Sequence, residues 1–147
     1  MSAQDNLNSY QFGHRPTAVA GWHEAHEAYP DVYDHPEYYS SRQDTWRNEV
    51  HQSMLAARGH PEHPVTIHRA LPADAPDEFH EGDWVTPSRK YAEMHAAGRG
   101  EETGKPFKII SRNVQAQHVG LPGDYLPEAG YFPRGVHNED SWKEYRS

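Results

Sequence analysis

The chain has 147 residues, a formal net charge of -8 at pH 7, 12 His and no Cys, with a mean hydropathy of -1.05. That length supports one core rather than two, the acidic balance argues against broad nucleic-acid binding, and the missing cysteines exclude disulfides and thiolate metal sites. No charged-then-apolar leader opens the chain and no apolar run reaches bilayer length, so a soluble intracellular protein without membrane contact is expected.

Apolar residues make up only 35%, but four Trp, nine Tyr and four Phe predict a small core built on aromatic rings. Residues 1–20 are polar and read as a mobile or surface-draped arm, leaving residues 21–147 as one folded domain. "AVAGWHEAHEAYPDVYDHPEYYSS" predicts a short helical turn, then an irregular segment pinned by Tyr29, Tyr33, Tyr38 and Tyr39. From Ser41 to Arg58, Trp46, Val50, Met54 and Leu55 recur at helical spacing, and Gly59 stops the helix.

After the turn "GHPEHP", the stretch "VTIHRALP" alternates as a strand, with Val65, Ile67, Arg69 and Leu71 on one face and Thr66, His68 and Ala70 on the other. Arg69 stands on the face that should be buried, where an unpaired charge is costly, so it needs a carboxylate or an anionic ligand. "GDWVTPS" predicts a short strand ended by Pro87, with Ser88 as N-cap of a helix over "RKYAEMHAA" that presents Tyr91, Met94 and His95 on one face and closes at Gly98. "GRGEETGKP" reads as a flexible connection, "FKIISRNVQA" as a further strand, and Pro122-Gly123 and Gly130 as turns. A helix followed mainly by strands predicts an α+β fold rather than a doubly wound sheet.

Histidine spacing does not make a metal site. His23 and His26 in "HEAHE", like His60 and His63 in "HPEH", are three apart and lack the HExxH arrangement, so no metal is expected. No GxSxG elbow and no strand-following GxGxxG occur either. With 12 imidazoles whose ordinary pKa lies near 6.5, the net charge responds to mild acid.

Three ordered stretches remain: "VTIHRALP" at 65–72, "GDWVTPSRKYAEMH" at 82–95 and "GDYLPEAGY" at 123–131. Together they resemble the ADP-ribosyltransferase family, in its arginine, serine, glutamate class and its small phage-encoded type. There a strand like VTVYRAVP precedes a GDWVT.S..YA..H segment and a late GDSLNEWGY segment. The likeness spans roughly residues 65–133, and "HPEYYS" adds a weaker one.

The resemblance implies a split β-sandwich with N-terminal helices and NAD, as substrate, in the cleft between sheets. It makes Arg69 the guanidinium that holds the cofactor's phosphate and ribose. Thr86 and Ser88 flank Pro87 where the family has its serine-threonine-serine hydroxyls, which support the nicotinamide ribose and orient the catalytic acid. Tyr91, helped by Trp84, would stack on the cationic nicotinamide ring. Glu128 would be the catalytic carboxylate, stabilising oxocarbenium character as the glycosidic bond breaks. The implied activity is ADP-ribose transfer from NAD to a macromolecular acceptor, a host protein if the chain is phage-encoded, in host cytoplasm or associated with the virion. Pro87, Ala129 in place of a family Trp, and Leu126 where arginine-modifying members carry Glu or Gln depart from the pattern, and Leu126 leaves the acceptor open. Two alternatives stand beside the transferase: an NAD glycohydrolase, and a catalytically silent anti-defence or virion-associated binding module.

Overall fold

Four side chains on one helical stripe organise the first half of the core. Trp46, Val50, Met54 and Ala57 are each 2% exposed or less, and the last three belong to helix α1, Arg47–Ala57. The computed structural model describes residues 18–40, 45–123 and 126–136. Leu55, expected on the same stripe, is instead 38% exposed, because it lies about 100° around the helix from Met54. Gly59 ends the run as expected, at φ 75°, with its N–H donating to the His23 carbonyl at 2.9 Å.

A 3-10 turn, Trp22–Glu27, packs on α1. The buried Trp22 indole meets its need for an acceptor at Ser53 Oγ, 2.9 Å away. Tyr29 and Tyr33 pin the irregular segment, at 3% and 6% exposure, whereas Tyr38 is 65% exposed and stacks on the ring of nearby His35, 4.7 Å away. Tyr33 Oη accepts from the Ala25 N–H at 3.0 Å, and Tyr39 donates to the Pro30 carbonyl across a second short turn, Pro36–Tyr39.

Among the described residues the strands are β1 (Ala20–Gly21), β2 (Pro64–Pro72), β3 (Trp84–Val85), β4 (Phe107–Gln115), β5 (Val119–Leu121) and β6 (Ala129–Tyr131), with helix α2 (Arg89–Thr103) between β3 and β4. They form one four-stranded sheet in the order β1-β5-β6-β3 and one two-stranded sheet of β2 and β4, every pairing antiparallel. The chain is α+β, and no helix among the described residues is long and apolar enough to cross a membrane.

Several sequence expectations change here. Residues 18–20, expected in a polar arm, belong to the fold: Ala20 and Gly21 pair with β5, and Ala18 is buried with Phe132 and Val136. Residues 1–17 lie outside the described residues, as do 41–44 of the expected longer helix. That approach of Ala18 requires Gly120, where a Cβ would lie 2.6 Å from both Ala18 Cβ and the Phe132 ring. Gly130, expected in a turn, sits inside β6 opposite Trp84 and Gly120.

Helix α2 does not close at Gly98. It runs through Gly98 and Gly100 to Thr103 and closes at Gly104, φ 69°. Two helical glycines cost about 1 kcal/mol each relative to Ala, which the packing of α2 on β2 and β4 outweighs. The supposed flexible connection is therefore largely helix. Met94 leaves the expected shared face and is 55% exposed, because Tyr91, His95 and Arg99, four apart, define the inward stripe.

Candidate functional site

Among the described residues the two sheets share one backbone bridge, where His68 and Thr86 exchange hydrogen bonds of 2.8 and 3.0 Å. In an antiparallel ladder the next such pair would be Ala70 with Trp84. The strands part instead, and Arg69 fills the break: its Nη1 donates to the Trp84 carbonyl at 2.9 Å. The same nitrogen stands 3.8 Å from Asp83 Oδ1, with 29% of the Arg69 side chain still exposed. The guanidinium on an apolar strand thus has both a carbonyl and a carboxylate, and it is half-buried rather than buried. Burial fades along its face of β2, from Val65 at 3% and Ile67 at 0% to the half-buried Arg69 and Leu71.

The fork opens into a cavity of about 320 Å³. Its walls come from β2, β3 and the inward stripe of α2, with Phe107 at the start of β4 and Glu128 just before β6. Tyr91 to Arg99 spans roughly 12 Å of helix, so the cavity is elongated along α2. Two guanidiniums, Arg69 and Arg99, share it with two carboxylates, Asp83 and Glu128. Burial, reinforced by Arg99, pushes the His95 imidazole below its ordinary pKa. Burial likewise lowers His68, with Arg89 adding to it, while its Nδ1 lies 2.7 Å from Ser111 Oγ.

Arg69, Trp84, Thr86, Tyr91 and Glu128, singled out from three separate stretches of sequence, all line this one cavity. Glu128 follows a cis Leu126-Pro127 bond, and its Oε1 accepts a 2.6 Å hydrogen bond from the Tyr91 hydroxyl. The Tyr91 ring meets Trp46 edge-on at 6.3 Å and His95 at 6.2 Å. Trp84 is half-buried in the wall rather than in the core.

Ser88 is different. It is 0% exposed and does not line the cavity. Its Oγ caps α2 by accepting from the Tyr91 N–H at 3.0 Å and donates to Glu49 Oε2 at 2.8 Å. Thr86 Oγ1 accepts from the Ser88 N–H at 3.1 Å. Both hydroxyls are thus engaged in shaping the strand-to-helix turn. Leu126, at the position that leaves the acceptor open, is 3% exposed and belongs to the core.

Sequence reasoning missed Asp83, His95, Arg99 and Phe107 as cavity residues. Asp83 and His95 stood inside the quoted motifs, so their signal was present without a role. Arg99 was hidden because the helix carrying it was expected to stop one residue earlier. Among the described residues no group of three or more His, Asp or Glu is placed to hold a metal ion.

Fold and site together define an α+β protein with an elongated, mixed-charge cavity where two antiparallel sheets part. Comparison of the chain with protein-family models, with curated proteins and with solved structures returned no match.

Proposed function

We propose that the protein is an NAD-dependent ADP-ribosyltransferase with the split β-sandwich of that family, acting on a macromolecular acceptor. The observation that carries this reading is the convergence of Arg69 and Glu128 on one cavity, beside Thr86, Trp84 and Tyr91. Its volume lies at the small end of ligand pockets, suited to the nicotinamide riboside portion, with the pyrophosphate reaching the guanidinium of Arg69. A guanidinium offers forked donors matched to phosphate oxygens. The Glu128 carboxylate stabilises positive charge on the ribose as the C1′–nitrogen bond breaks and its electron pair leaves with nicotinamide. The acceptor's lone pair then forms the new bond to C1′, and the acceptor gives up its proton. A host protein is the acceptor if the chain is phage-encoded.

One observation favours a second reading, NAD glycohydrolysis. Leu126 is packed in the core, so the position that directs acceptors in arginine-modifying members presents no side chain there, and water would take the acceptor's place. Labelled NAD, incubated with and without host lysate, separates the readings. Label on a lysate component supports transfer; ADP-ribose without it supports hydrolysis; no nicotinamide in either arm leaves the silent binding module. In an active protein, Glu128→Gln should lower nicotinamide release by a hundredfold or more, on the order of losing one strong electrostatic contact. An unaltered rate would remove Glu128 from the mechanism.

A further inference from the structure

A carboxylate that must meet a ribose hydroxyl and a developing cation works only if its orientation is held, because misplacement by about 1 Å can cost a hundredfold. The family resemblance gives that holding role to the hydroxyls at 86 and 88. The distances do not. Ser88 Oγ spends its donor on Glu49 and accepts from the Tyr91 N–H; Thr86 Oγ1 accepts from the Ser88 N–H, a contact that leaves its own O–H for a substrate hydroxyl and not for Glu128. The hydroxyl on Glu128 belongs to Tyr91, at 2.6 Å, a length typical of a charge-assisted O–H···O⁻ bond.

Tyr91 is itself fixed from α1. Glu49 accepts from the Arg89 N–H through Oε1 and from Ser88 through Oε2, both at 2.8 Å, so one carboxylate secures the opening of α2. Ser88 then caps the Tyr91 N–H. One turn before Glu49, Trp46 meets the Tyr91 ring edge-on, 87° between planes. Backbone and ring are thereby both held, and the phenol is delivered to Glu128.

We infer that Tyr91 is the positioning residue for Glu128, and that Glu49 sets Tyr91 through Ser88. The inference rests on the transferase or glycohydrolase reading of the cavity. Glu128 Oε1 takes the hydrogen bond of the phenol, and the remaining lone pairs of the carboxylate are left to engage the substrate's ribose. Tyr91 thus acts through its hydroxyl.

Tyr91→Phe keeps the ring, the Trp46 contact and the cap, and removes one hydroxyl. Steady-state nicotinamide release should then fall about 10- to 100-fold in kcat, the range for losing a hydrogen bond to a charge, with KM for NAD within about twofold. Added to Glu128→Gln, the same substitution should change the residual rate by less than about twofold, since its effect runs through that carboxylate. Circular dichroism of Tyr91→Phe should match the parent. If the parent turns over NAD and Tyr91→Phe keeps its kcat, or shifts only KM, the positioning role is overturned while the reading of the cavity stands. An additional loss on the Glu128→Gln background overturns it as well. A parent protein that releases no nicotinamide overturns the reading of the cavity, and the positioning role falls with it.

Discussion

Ser88→Ala tests the junction on which the site is built. The substitution deletes an oxygen that makes two bonds in a position with no exposure. Loss of the N-cap to the Tyr91 N–H, 3.0 Å away, costs about 1 kcal/mol. The second bond, 2.8 Å to Glu49, is to a carboxylate and is worth about 1.5 kcal/mol at the lower end of its range; the lower end applies because Glu49 is half-buried and can recover water. The sum is about 2–3 kcal/mol, a sizeable fraction of the roughly 5–15 kcal/mol that holds a typical domain. Urea unfolding followed by circular dichroism reads it directly, with Glu49→Ala and the double variant completing a cycle. Coupling of about 1 kcal/mol or more between the two positions is expected. A Ser88→Ala cost below about 0.5 kcal/mol, or costs that simply add, would refute the argument that Glu49 clamps α2 through this hydroxyl.

Two further outcomes follow from the same packing. Gly98 lies within α2, and a Cβ built there meets nothing within 4 Å, so Gly98→Ala should raise stability by about 0.5–1 kcal/mol; a loss in thermal unfolding would mean that the helix ends at Gly98 after all. His68 and His95, both pushed below the ordinary imidazole value chiefly by burial, bind protons more readily in the unfolded chain. Their contribution is therefore complete above about pH 6.5 and is lost as pH falls through the lowered folded values, at no more than about 1.4 kcal/mol per pH unit each. The exposed His35, raised by Glu37, acts in the opposite direction. Urea midpoints at pH 7.5 and 5.0 should drop for the parent and drop less for His68→Gln and His95→Gln; equal drops would place the acid sensitivity elsewhere.

Much of the local structure was legible because it obeys short-range rules. The alternation in residues 65–72, the stripe of Trp46, Val50 and Met54, and the cap at Ser88 each follow from spacing within a few residues. Gly98 misled because glycine marks helix ends only when nothing packs the next turn, and here β2 and β4 do. Gly130 misled for a related reason: a glycine that suits a turn also suits a strand held closely between two neighbours. The histidine pattern was silent on burial, so nothing in "VTIHRALP" predicted that His68 would be 7% exposed on the face opposite Ile67. That burial accompanies the packing of α2 on β2 and the bridge to Thr86, both contacts between distant segments.

By itself the sequence determined the α+β class, the principal strands and helices, and a set of polar residues too costly to bury without partners. Only the tertiary structure decided which of those residues meet. It put Glu128 against Tyr91, gave Ser88 to Glu49, and parted two strands so that Arg69 spans the gap to the Trp84 carbonyl. The physical reason is that propensity and periodicity act over one or two turns of chain. A hydrogen bond between distant side chains exists only after the core has fixed both backbones, and no local pattern carries that distance.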